Sequence, residues 1–127
     1  MTTDYPIVEL RTHTPLQDYF KDREGNKYSV ARLLDDARDL PVFDCPLVSL
    51  NLEDIIWQGS NLVDLSFHVK ACMNADLEYP ILLDWLGGIA DGRHRIIKAI
   101  ALGHTTIKAK RLQWQPAPDV PYVEEEK

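Results

Sequence analysis

Residues 79–112 read YPILLDWLGGIADGRHRIIKAIALGHTTIKAKRL, and their pattern sets the fold class. Tyr79–Asp84 and Leu86–Ala90 are short apolar runs around a tight connection, which predicts two strands. Ile96, Ile97, Ile100 and Ala101 then recur at helical spacing. They stop at Gly103, the residue type favoured just past a helix end. Thr105–Leu112 sets Thr106, Lys108 and Lys110 on one face against Ile107, Ala109 and Arg111 or Leu112 on the other, the period of a closing strand.

Upstream, residues 18–30 (DYFKDREGNKYSV) hold a Gly-Asn turn between aromatic-bearing segments, a hairpin signal. Val30, Leu33, Leu34, Ala37 and Leu40 follow at helical spacing, with Ser29 as N-cap and Pro41 as stop. In LVSLNL (47–52), Val48, Leu50 and Leu52 alternate with polar residues, which predicts a half-buried strand. Residues 53–62 read as a loop carrying Trp57 and Gly59. Leu65, Val69, Cys72 and Met73 mark the apolar face of a second helix, capped by Asp64 or Ser66. Helices and strands mix throughout, so the expected class is α/β (mixed α+β). Residues 1–41, whose first fifteen form a strand or arm containing Pro6, His13 and Pro15, make an N-terminal extension packed on a core of 42–114. The tail, 115–127, with Glu124-Glu125-Glu126, is expected to be mobile.

At 127 residues the chain is expected to form a single domain overall. Hydrophobic residues at 45% and charged residues at 27% set it apart from disordered chains. No stretch approaches the roughly 20 apolar residues of a membrane span. Met1–Pro6 lacks the basic start and apolar run of a secretory leader. Cys45 and Cys72 form neither a disulfide framework nor a zinc pattern, so a cytoplasmic protein is expected. The net charge of −6 is unevenly spread. Residues 91–114 hold Arg93, Arg95, Lys98, Lys108, Lys110 and Arg111 against Asp91 alone, an excess of five positive charges. The remainder holds eight cations against nineteen carboxylates, an excess of eleven negative charges. Overall acidity argues against non-specific wrapping of nucleic acid, while the basic segment allows one anion site.

That site centres on Gly87–Arg95, where a strand runs through a glycine turn into a helix opening on Arg93-His94-Arg95. Cations at a helix N-terminus oppose the macrodipole by about 0.3–1 kcal/mol each. They make sense if an anion is held there by free backbone N–H groups, with the arginines as charge-assisted donors. Gly92 would let the backbone approach the anion, and Lys98 shares the face of Arg95. The plainer alternative is that Asp91 caps the helix and pairs with an arginine.

Residues 79–112 also resemble the ParB/sulfiredoxin-like superfamily. Strand 47–52 and helix 65–75 take the places of that family's first strand and helix, so the similarity spans about residues 42–112. Gly92-Arg93-His94-Arg95 with Ala99 resembles the family's phosphate-binding box. The DGRHR form is that of small stand-alone phage and plasmid ParB-like proteins. The resemblance implies binding of a nucleoside triphosphate, ATP or CTP, with Gly92, His94 and Arg95 on the phosphates, and the charge reading of the same helix start adds Arg93 and Lys98 to that expected set. If catalysis follows, the expected chemistry is NTPase or phosphotransfer by Asp91, His94 and Arg95, with Mg²⁺ held by Asp84, which ends a strand, and Asp91, which precedes the box. Sulfiredoxins carry a catalytic Cys where this chain has Arg93, so sulfinic-acid reductase activity is not implied. Partitioning ParB proteins have a Glu at that position and a following helix-turn-helix domain. Neither is present before the acidic tail, so sequence-specific DNA binding is not expected.

Two other readings stay open. Lys108 and Lys110 could extend the basic segment along a nucleic-acid backbone in a nuclease-like domain. The acidic remainder could instead engage a host protein without catalysis. Single residues favour packing or solvation: His68 with Cys72 four positions on, Trp57 and Trp85, and the acidic group Asp35, Asp36, Asp39 and Asp44. His104 sits where a helix C-terminus favours histidine.

Overall fold

The computed structural model describes residues 5–12, 17–57 and 59–124; His13, Pro15 and Glu125-Glu126 lie outside them. The predicted hairpin forms from β1 (Tyr19–Lys21) and β2 (Lys27–Ser29), paired Tyr19 to Ser29. Asp22 builds its turn by accepting the backbone N–H groups of Glu24 and Asn26, each at 2.9 Å. Helix α1 (Val30–Asp36) starts at Ser29, whose side chain accepts the Arg32 N–H as expected. It ends at Ala37, four residues before Pro41.

The first core strand departs from the sequence reading. It is β3 (Phe43–Pro46), and Leu47–Ser49 is a single 3₁₀ turn. Cys45, Leu47 and Leu50 are buried while Val48 is 89% exposed, so the alternation in 47–52 belongs to a turn that sends two leucines inward. Helix α2 (Leu62–Asn74) is capped by Asn61, which accepts the Asp64 N–H. Its buried residues are Phe67 and His68, whereas Leu65, Val69 and Met73 face out, the reverse of the expected orientation.

The remaining elements are β4 (Ile81–Leu83), β5 (Ile89–Asp91), α3 (Arg93–Ala101) and β6 (Thr106–Arg111). With β3 they form a four-stranded sheet of order β3-β6-β4-β5. β4 lies parallel to β6, and both outer pairs are antiparallel. All three residues of β4 are buried, because its two faces serve two cores. Ile81, Leu83, Ile107 and Ala109 pack with Ile96 and Ala99 of α3. On the other face Leu82, Ala90 and Leu112 pack with Tyr28, Leu33 and Ala37 of the N-terminal extension. Three layers result, with the extension on one face of the sheet and α3, against which α2 packs, on the other.

Part of the tail expected to be mobile, Asp119 to Tyr122, lies against the hairpin, and residues 125–127 of it lie outside the described residues. The Ser29 N–H donates to Asp119, the Lys27 N–H to the Val120 carbonyl, and the Tyr122 N–H to Asn26. Its proline-rich composition hid a run that caps the exposed side of the hairpin. No helix among the described residues is long and apolar enough to cross a membrane.

Candidate functional site

β5 delivers Asp91 to the end of the sheet, and Gly92 turns the chain into α3 with φ +112°. A Cβ on Gly92 would lie 2.5 Å from Cγ2 and 2.8 Å from Cβ of Ile81, which is fully buried. Packing against β4 therefore demands this glycine, with or without a ligand. Gly92 offers no side-chain cap, and the first turn of α3 has no acid. That arrangement at the helix start is compatible with an anion.

The basic side chains are largely committed inside the fold. Arg95 donates to the carbonyls of Pro80 at 2.7 Å and Tyr79 at 3.1 Å, and to Asp91 at 2.9 Å. Lys98 closes the C-terminal end of α2 through the carbonyls of Met73 and Ala75. Lys110 does the same for α1 through Ala37 and Arg38. Arg111 holds the Trp85 carbonyl, and Lys108 pairs with Glu78 at 2.6 Å. Cations at the negative ends of helices are favourable by about 0.3–1 kcal/mol each. Much of the charge excess in 91–114 thus serves chain ends elsewhere in the fold. Arg93 is less tightly held, 3.4 Å from both Asp54 and the Ile89 carbonyl.

The start of α3 opens on a cleft of about 1190 Å³ between α1, the N-terminal arm and α2. Gly92, Arg93, His94 and Arg95 line it together with Arg11, Trp57, Phe67 and His68. His94 Nε2 lies 2.9 Å from His68 Nδ1. The Trp57 indole stacks on His68 at 3.8 Å between ring centroids, with planes 9° apart. Trp57 reaches that position with φ +55°, the left-handed region, where a bulky side chain costs about 1–2 kcal/mol. It is the one non-glycine residue with positive φ among those described. The Arg11 guanidinium lies 4.2 Å above the Phe67 ring and 3.5 Å from His68 Nε2. Burial, and next the Arg11 charge, hold His68 below its ordinary pKa of 6.5, against an opposing pull from Asp64.

Asp84 and Asp91 do not fit a shared Mg²⁺ site. Asp84 is buried in the β4–β5 turn, where its Oδ1 accepts the N–H groups of Leu86 and Gly88, each at 2.8 Å. Asp91 stands opposite Leu82, with its carboxylate on Arg95. No group of three or more His, Cys, Asp or Glu side chains among the described residues is arranged to hold a metal. Cys72 stays apart from the histidines, and burial pushes its thiol pKa up. Asp35, Asp36 and Asp39 pair with Arg32 and Arg38 on the surface of the extension. Trp85 packs edge-on against Phe20 and Tyr28, and His104 is exposed beyond α3.

Of the residues expected in the box, the structure brings Gly92, Arg93, His94 and Arg95 to the cleft and turns Lys98 toward α2. Arg11, Phe67 and the partnership of His68 with His94 escaped the sequence reading. His68 and Trp57 were visible as chemistry-bearing residues, but nothing in their spacing joins them across 26 and 37 positions to His94. Comparisons with protein-family models, curated proteins and solved structures find no match to this chain. The ParB/sulfiredoxin-like resemblance accordingly rests on the residues quoted for it.

Proposed function

We propose that the chain binds a phosphorylated small molecule, of the nucleoside triphosphate class, in the cleft at the start of α3. One observation carries this reading: a helix N-terminus with no side-chain cap and no acid in its first turn opens on a cleft also lined by Arg11, Arg93 and His94. The first N–H groups of α3 would hold a phosphate, and Arg93 would supply the mobile positive charge. Arg95 acts one layer back, fixing Asp91 and the 79–80 carbonyls so that the turn keeps its shape. Trp57, stacked on His68, offers an aromatic wall of the kind that accepts a base. Any divalent cation would arrive on the ligand's own phosphates, because Asp84 and Asp91 are otherwise engaged. The reading is one of binding, with no chemical step assigned.

Calorimetry with ATP, CTP, GTP and UTP, with and without Mg²⁺, tests it on the wild type and on Arg93→Ala. The expected result is binding at about micromolar affinity, roughly −8 kcal/mol, weakened about tenfold or more in the variant. Absence of binding by all four nucleotides at millimolar concentration overturns the reading. So does binding that Arg93→Ala leaves unchanged.

A further inference from the structure

Arg11 belongs to an arm, residues 5–12, that lies in no helix or strand. Among the described residues, no backbone–backbone hydrogen bond joins this arm to another segment. Arg11 anchors it through side-chain contacts with Phe67 and His68.

A guanidinium has only donors, so the His68 nitrogen that faces it, Nε2, must present a lone pair. A neutral His68 then carries its hydrogen on Nδ1. That nitrogen is 2.9 Å from His94 Nε2, a separation that accommodates one hydrogen and not two. His68 is the donor, His94 accepts at Nε2, and the hydrogen of a neutral His94 sits on its Nδ1. The polarity of the relay, from Arg11 to His68 to His94, is fixed from the arginine end.

We propose that this relay is a proton-operated latch: uptake of one proton by the His68–His94 pair releases the arm from the mouth of the cleft. A proton added to His68 goes to Nε2 and sets an N–H against the N–H groups of Arg11. A proton added to His94 goes to Nε2, which becomes the donor to His68 Nδ1. The His68 hydrogen then moves to Nε2, again facing Arg11. Both routes replace an acceptor with a donor facing the guanidinium; the first sets the added positive charge directly beside it, and the second sets it one ring further away, on His94. In neither case does His68 still accept from Arg11, which leaves the Phe67 ring face alone to hold the guanidinium.

The other groups around the pair set the direction of the response. Asp64, on α2 with His68, is the carboxylate that favours the proton. Cys72, one turn further on, is kept as the thiol by burial. From α3, Arg93 lies beside His94 in sequence and is paired with Asp54 of the 50s loop. The same loop supplies the uncharged Trp57. With His68 held below 6.5 by burial and Arg11, its neutral form is the docked form. Docking is complete above pH 6.5 and is lost as pH falls below that value through the folded pKa.

The test uses the full chain without any ligand, so its outcome is separate from that of nucleotide binding. Long-range ¹H–¹⁵N spectra report the imidazole tautomers, and ¹⁵N relaxation reports the order of residues 5–12. At pH 8 both His68 and His94 should carry hydrogen on Nδ1, with arm amides near the rigid value of about 0.85. On acidification the tautomer signature and the arm order should disappear at one midpoint below 6.5. Order parameters should drop under about 0.6 while β4 and β6 amides keep their shifts. In Arg11→Gln, whose amide can offer either a donor or an acceptor, His68 should titrate at higher pH and the arm should lose its pH dependence. An Nε2–H tautomer of His68 at pH 8 overturns the proposal. An arm that stays ordered while His68 titrates, an unchanged midpoint in Arg11→Gln, or global unfolding before either histidine titrates overturns it equally.

Discussion

Replacing Gly92 by alanine separates a glycine demanded by packing from one kept for a ligand. Its φ of +112° and ψ of 21° lie outside the well used by L-residues, a strain of about 1–3 kcal/mol. The new methyl would sit 2.5 Å from Ile81 Cγ2 and 3.2 Å from Ile81 Cα, the second a backbone atom that cannot swing away. Relieving that overlap in a filled core costs about a further 1–3 kcal/mol. Lower entropy of the unfolded chain returns about 0.4–1 kcal/mol. The expected loss is therefore about 3 kcal/mol, or about 10 °C in Tm for a domain of this size. Gly103→Ala is the internal control. Gly103 has φ +80° but nothing within 4 Å of its added Cβ, so only the dihedral strain applies and the loss should stay near 1 kcal/mol. Urea unfolding followed by circular dichroism measures both, with the m-value unchanged. Equal losses at the two sites would remove the steric argument and return Gly92 to the role of a ligand approach.

Three further outcomes follow from geometry already described. Asp84→Asn keeps an oxygen for the Leu86 and Gly88 N–H groups and should cost under about 1 kcal/mol, whereas Asp84→Ala orphans both and should cost about 2–3 kcal/mol; equal losses in thermal melts would refute the turn-building role. Phe67→Ala should cost about 3–5 kcal/mol, while Leu65→Ser and Val69→Ser, each about half exposed, should stay within about 0.5 kcal/mol, with the reverse order in urea titrations marking a wrongly oriented α2. At Asp22, burial acts to raise the pKa but is outweighed by hydrogen bonds from the Asn26 side chain, the Tyr28 hydroxyl and the N–H groups of Asn26 and Glu24, so the folded value lies below 3.8. Its stabilisation should be present above 3.8 and lost as pH falls below that, and Asp22→Asn should flatten the acid limb of a stability–pH curve.

What the sequence made legible was local. The hairpin at 19–29, the Ser29 cap, the 93–101 helix and the closing strand all follow from turn residues, caps and periodicity acting over a few positions. The mixed α/β class follows from them too. Errors arose where two patterns share one segment. In 47–52 alternating apolar residues also suit a turn that buries Leu47 and Leu50. In α2 apolar residues occur on both sides, so periodicity had two solutions, and burial of His68 against Trp57 and His94 selected the one with fewer aliphatic residues. The box showed which residues reach the cleft but not what their side chains do there. Arg95 and Lys98 look alike on a helical wheel. Their partners, the carbonyls of 79–80 and of 73 and 75, come from chain ends brought near by the sheet crossover.

The two lysines that close helix ends also bear on covalent chemistry. Acylation requires a deprotonated, accessible amine and leaves a neutral amide that cannot serve as a charged plug. Lys98 and Lys110 each give hydrogens to two carbonyls, so amine-directed reagents should find them last. Where such a reagent does succeed, it uncaps α2 or α1 at the same stroke. A map of labelled amines would then double as a map of which molecules have kept their fold, with Lys21, Lys27 and Lys70 marking the surface and the two helix-end lysines marking intact tertiary structure.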